Sequence, residues 1–137
     1  MTMNILHTEW WSIAIAPEWW TEREDDAVII GDRDEVGSIL ISTLCKEDGD
    51  FQRAELEEIA EENAEYACRW KPVEIGDFSG LLSSYTEQDS AVREWYLSAG
   101  PVLLFITYCC DQENAGMDDA AVDEILDTLE RVTPDAA

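Results

Sequence analysis

The side chains that could do chemistry are few, and their spacing points to little. The chain holds one histidine, His7. A Ser-His or Cys-His nucleophile needs that imidazole in a pocket, and His7 falls in an N-terminal segment, residues 1–7, that is expected to fray. The four cysteines are Cys45, Cys68, Cys109 and Cys110, and none form a C-x-x-C pair. Neither a zinc ribbon nor a thioredoxin-like dithiol is therefore expected. In a reducing compartment they stay thiols. Cys109 and Cys110, adjacent in an apolar run, should point to opposite faces of a strand as two buried small hydrophobes rather than as a vicinal redox pair. Paired carboxylates do acid–base work, but with 32 acidic residues close pairs arise by chance. "DRDEVG" (32–37) begins like a calcium loop, yet places Val36 where an EF-hand needs Asp or Asn. It reads as a hairpin turn. No G-x-G-x-x-G or Walker sequence occurs. The sequence thus predicts no catalytic residue, no cofactor and no metal.

The six tryptophans are the remaining signal. Two pairs, Trp10-Trp11 and Trp19-Trp20, fall within the first twenty residues. Tryptophan anchors interfaces, and it is equally a large core residue. In a strand Trp10 and Trp11 face opposite ways, so one of them is expected in the core. Trp95 shares a face with Arg93 and Leu97 and has the same prospect. After Pro17, Trp19 or Trp20 is placed to fold back over the end of a sheet. Trp20, Trp70 and Trp19 are the candidate interface residues. Trp11, Trp20 and Trp95, with carboxylates, are the candidate lining of a small-molecule pocket.

These residues must be positioned by short strands and two helices. "EWWSIAIA" (9–16) alternates, with Trp11, Ile13 and Ile15 on one face, and Pro17 ends it. "AVII" (27–30) and "SILISTL" (38–44) follow, joined by the charged turn 31–37. Asp50 is the expected N-cap of a helix running to about Tyr66. Its apolar stripe is Leu56, Ile59 and Ala60. The like-charged pairs Glu58/Glu62 and Glu61/Glu65 oppose that helix, so packing must hold it. "PVEI" (72–75) and "FSGLLSSY" (78–85) flank Gly76-Asp77, a hairpin signal. "AVREWYLSA" (91–99) turns at Gly100-Pro101 into "VLLFITYCC" (102–110), the most apolar run and hence the expected central strand. In "DDAAVDEILDTLERV" (118–132) the residues Val122, Ile125, Leu126, Leu129 and Val132 form a helical stripe, with Asp118 and Asp119 at the positive end of its dipole. The order is βββ-α-ββββ-α. It predicts one α+β domain over 1–137, frayed again at 134–137, with a curved, mainly antiparallel sheet of about seven strands and two packed helices.

Thirty-two acidic against eight basic residues give a net charge of −24. Nucleic acids and anionic membrane surfaces are excluded as partners on that ground, and a basic protein is favoured. Adaptation to high salt would produce the same charge, and thermal stability would then climb steeply with salt. The N-terminus has no secretory pattern, and the longest apolar run, Val102 to Cys110, is too short to span a bilayer. A cytoplasmic location is expected.

"SIAIAPEWW", "VEIGDFSG" and the strand "VLLFITYCC" with its following helix resemble the PsbP/DcrB-like superfamily. That resemblance implies a curved antiparallel sheet with packed helices and no enzymatic activity. The chain is most similar in size and compartment to a cytoplasmic branch, the effector-associated chaperones of type VI secretion, which implies a homodimer that binds protein segments. The expected function is a non-enzymatic protein-binding module of chaperone, adaptor or immunity type. The alternative is a small-molecule binder or enzyme using the tryptophan–carboxylate pocket.

Overall fold

Runs of alternating apolar residues make most of this chain pleated, and turn residues fix where each run reverses. The computed structural model describes residues 4–24, 27–32, 37–63, 70–117 and 119–132. The expected helix end near Tyr66, the turn residues 33–36, Cys68, Asp118 and the terminal residues 134–137 lie outside them. The strands are β1 (Asn4–His7), β2 (Trp11–Ile15), β3 (Trp19–Arg23), β4 (Ala27–Asp32) and β5 (Gly37–Cys45), followed by helix α1 (Arg53–Asn63). Then come β6 (Lys71–Ile75), β7 (Phe78–Glu87), β8 (Ser90–Ala99), β9 (Val102–Asp111), helix α2 (Asp119–Leu126) and β10 (Glu130–Arg131). The strands form two sheets: seven in the order β3-β4-β5-β9-β8-β7-β6, and three in the order β1-β2-β10. The described pairings are antiparallel. This is a sheet-dominated α+β fold, and β9, the most apolar strand, is central as expected.

Three strands were not foreseen. Residues 4–7, expected to fray, pair with β2. The turn between them is closed by Thr8, whose Oγ1 accepts the Trp10 and Trp11 N–H groups at 3.1 and 3.0 Å and donates to the Trp11 carbonyl. Strand β3 forms where a chain end folding back was expected, because it pairs with β4 from Trp19↔Asp32 to Arg23↔Val28. The C-terminal helix stops at Leu126 rather than running to Val132. Thr128 ends it, donating to the Ile125 carbonyl at 2.6 Å and accepting the Ala14 N–H at 2.8 Å. The chain then offers β2 a short partner strand, and a ladder bond replaces the next helical turn.

Helix α1 also begins later than expected. Asp50 is not its N-cap. Gln52 precedes the first turn, and Glu55 reaches back to accept the Gln52 N–H at 3.0 Å, as in a capping box. Lys46 secures the same carboxylate at 2.6 Å and lies 4.8 Å from the centre of the Phe51 ring. The Lys46 hydrogen bond, and after it the Gln52 N–H, hold the Glu55 carboxyl below its ordinary range. Gly76 turns the β6–β7 hairpin at φ +58°, where a side chain is strained. A Cβ there would also collide with the Leu129 carbonyl.

The large sheet has two unlike faces. One packs on the small sheet and α2. Trp11, Ile13 and Ile15 of β2 and Val122, Ile125 and Leu126 of α2 meet Ile30, Ile39, Ile41, Trp95, Leu97, Leu104 and Ile106 in one buried cluster. Trp11 Nε1 donates to Thr43 Oγ1 at 2.9 Å, joining the two sheets. Arg93 pins α2, bonding Asp123 at 2.9 Å with Asp119 at 3.6 Å, and stacks 4.7 Å over the Trp95 ring. On the opposite face α1 sets Leu56 and Ala60 onto Leu81, Tyr96 and Leu103.

Candidate docking surface

That second face is only partly covered. Cross-strand partners share a face, so the register maps it in rows. One row runs Trp20, Gly31, Ser38, Cys109 and Val92. The next runs Glu22, Ile29, Leu40, Thr107 and Glu94. Below it lie Ala27, Ser42, Phe105 and Tyr96, then Leu44 and Leu103. Helix α1 shields the Tyr96 and Leu103 end, leaving the part on β3, β4 and β5 open. There Trp20 is 43% exposed, Leu40 39% and Leu44 59%. On β3, β4, β5 and β9 these rows carry a single charge, Glu22, although 32 of 137 residues are acidic. On so acidic a chain this patch is distinguished by its lack of charge.

Trp20 is positioned by glycine. A Cβ on Gly31 would overlap the indole of Trp20, so the ring lies across the bare Gly31 backbone. Along the floor the Tyr96 and Phe105 rings stack with centroids 4.7 Å apart, and Trp70 tilts against Tyr96 at 5.3 Å. Between Ile59 of α1 and Leu44, Ser42 and Phe105 lies a groove of about 210 Å³.

The polar groups here serve packing. Tyr85 donates to Glu94 Oε1 at 2.7 Å. Burial, and after it the Glu94 hydrogen bond, push the Tyr85 phenol far up. Burial and Glu94 likewise raise Tyr96 to about 12. Cys109 is exposed, yet its surroundings desolvate the thiol and, with Glu94, raise its pKa. Such a thiol is a poor nucleophile.

The expected residues sort as follows. Trp20 is on the surface. Trp70 is half-buried, one side of its ring spent on Tyr96. Trp19 is not a surface residue: it is 6% exposed, because β3 turns it onto the covered face against the main core. Cys109 and Cys110 do face opposite ways, but only Cys110 is buried. The proposed tryptophan pocket is not assembled. Trp95 is sealed in the core and Trp20 lies on the other face. Trp11 borders a separate cleft of about 500 Å³ between the sheets, lined also by Glu9, Arg23, Glu24 and Cys45. His7 is exposed at the end of β1, where its carbonyl accepts Arg23. Among the described residues no group of three or more His, Cys, Asp or Glu is placed to hold a metal ion. Among them too, no helix is long and apolar enough to cross a membrane. Sequence reasoning missed Leu40 and Leu44. "SILISTL" shows apolar residues on both faces of one strand, but not which face stays open.

No family model matches the chain, and no curated protein matches it. Among solved structures it is similar to a protein of Bacteroides thetaiotaomicron VPI-5482, whose crystal structure is at 1.50 Å resolution. The two share 17% identity at a TM-score of 0.67 over 90% of this chain and 46% of the other. The chain thus spans less than half the length of that protein, and the likeness is one of fold.

Proposed function

We propose that this is a non-enzymatic protein-binding module, of chaperone, adaptor or immunity type, acting in the cytoplasm on a basic protein. The observation that carries the reading is the half-covered sheet face: Trp20, Leu40 and Leu44 exposed together on rows almost free of charge. Exposed large apolar residues in one patch cost solubility unless something docks there. The net charge of −24 favours a basic partner and opposes phosphate-rich ones, so neither nucleic acid nor membrane belongs to this reading. Homodimerisation, implied by the resemblance to secretion chaperones, is a second use to which such a face can be put.

The test is affinity capture at low and high salt with the native chain and a Trp20→Ser/Leu40→Ser variant. One dominant basic protein, released by salt and lost with the variant, is the expected result. Equal capture by both chains would place binding elsewhere. A turnover activity abolished by one substitution in the Trp11 cleft would favour the small-molecule alternative.

A further inference from the structure

The open part of the face lies between α1 on one side and the edge strand β3 on the other, and its width and charge describe what fills it. We infer that the occupant is an amphipathic α-helix of a basic protein partner, lying over β4 and β5 beside α1. Its apolar stripe faces the sheet and its Lys or Arg residues line both flanks. This rests on the protein-binding reading above and adds the shape and charge of the partner.

Width comes first. From β5 to β3 the sheet spans two strand spacings, about 10 Å. A helix with its side chains is about 10–12 Å across, and packed helices sit about 8–10 Å apart. Helix α1 already occupies β7, β8 and β9 through Leu56 and Ala60. One further helix completes the layer. Strand addition at an edge would leave Leu40 and Leu44 uncovered.

Charge comes second. The floor is nearly uncharged, but an exposed glutamate stands on each side of it. On the β3 side this is Glu22, the one charge in those rows. On the α1 side Ile59 borders the groove, and Glu62, one turn on, shares its flank and is exposed. A wholly apolar segment leaves these carboxylates unanswered. A second copy would bring like charges together, adding repulsion to a chain of net charge −24. Basic flanks on an apolar stripe answer the floor and both glutamates at once. Trp20, laid on Gly31, is the preset anchor at one end.

The test is a display selection of random 16-residue peptides on the full 137-residue chain, counter-selected on Leu40→Glu. Leu40 is exposed, and circular dichroism verifies that the variant is folded. The expected winners carry apolar residues at i, i+3 or i+4, and i+7, with Lys or Arg beside them. A synthetic winner should bind Leu40→Glu and Trp20→Ser about tenfold or more weakly, and bind less at high salt. Its scrambled form, with the same charge, should lose the same factor on the native chain. Each other outcome overturns a named part. A period-two pattern means strand addition, and helical winners without basic flanks remove the charge argument. Self-association abolished by Leu40→Glu, seen by sedimentation, makes a second copy the occupant. Peptides indifferent to both variants leave protein binding standing and displace it from this face. Absence of any enriched peptide overturns the protein-binding reading as well.

Discussion

The two faces of the seven-stranded sheet come from the same strands, residue by alternate residue, and have opposite fates. One is closed by a second sheet and α2, with Trp95, Leu97, Leu104 and Ile106 fully buried. The other is closed by α1 over part of its width and left open at Trp20, Leu40 and Leu44. The closed face is lined by Ile30, Ile39, Ile41, Leu104 and Ile106, whereas the open rows mix Trp20 and Leu40 with Glu22, Ser38, Ser42 and Thr107, so composition as well as covering elements distinguishes the faces. Among the described residues the covering elements are α1, α2 and the short sheet, and they leave the β3–β5 part of one face exposed. The cations show where the closed side is reinforced: Arg93 holds α2 onto it, and Arg131 donates its backbone N–H to Asp77 while its guanidinium lies against Gly100.

The sharpest test of this contrast is truncation on each side. Trp95→Ala or Trp11→Ala should cost about 3–5 kcal/mol, through lost burial and the cavity left behind. That is a large share of the roughly 5–15 kcal/mol a domain possesses. Trp11→Ala also removes the bond to Thr43. Leu40→Ser and Leu44→Ser should each stay within about 0.5 kcal/mol. Urea denaturation measures all four. A cost for Leu44→Ser near that for Trp95→Ala would mean that the open part is covered in solution.

Two glycines sharpen the comparison at a smaller scale. Gly80 lies on the closed face, where an added Cβ would overlap the backbone carbonyl of Tyr96. Backbone in a paired strand cannot step aside, so Gly80→Ala should cost about 1–3 kcal/mol. Gly31 lies on the open face, where the nearest atoms an added Cβ would meet belong to the Trp20 ring. A side chain can shift where paired backbone cannot. Gly31→Ala should therefore cost under about 1 kcal/mol while red-shifting tryptophan emission. Equal losses for the two variants would mean that Trp20 is as fixed as the core.

Much of this division was legible before any coordinates. The alternation Trp11-Ile13-Ile15, the hairpin at Gly76-Asp77 and the central rank of 102–110 all follow from period and composition. The strand β3 was obscured because "WWTER" shows no apolar–polar alternation: of two identical neighbours, Trp19 goes in and Trp20 stays out. β1 and β10 are too short to carry a pattern, and each exists only because β2 has an edge to pair on each side. The C-terminal stripe continued through Leu129 and Val132, and nothing local revealed that Thr128 would trade a helical turn for a bond to β2. The open surface was half legible. Trp20 was identified, but the exposure of Leu40 and Leu44 depends on which strands α1 covers, which no local pattern records.

The partly covered face also carries a pH signature. Tyr96 lies under α1, and burial, followed by the Glu94 charge, raises its phenol to about 12 against an unfolded value near 10. The native state therefore keeps its proton where the unfolded chain has lost it. The stability this contributes is present below pH 10 and is lost as pH rises from about 10 to 12. Tyrosine absorbance at 295 nm should show a phenol titrating late in the native chain and missing in Tyr96→Phe. The variant's stability should fall less over that interval. A native titration near 10 would mean that α1 does not seal the ring.

The smallest effect uses the two adjacent cysteines as reporters of the two faces. Cys110 is buried on the closed side, and Cys109 is exposed on the open side, in the row that begins at Trp20. At pH 8 iodoacetamide should label Cys109 before Cys110, yet more slowly than a free cysteine, because desolvation and Glu94 oppose its thiolate. Glu94→Gln removes one of those two causes and should speed the labelling a few-fold. A peptide seated over β4 and β5 should slow labelling of Cys109 and leave that of Cys45, in the Trp11 cleft, unchanged. Protection of both thiols would report a general tightening rather than an occupant on this face, and protection of Cys45 alone would move the occupant to the cleft between the sheets.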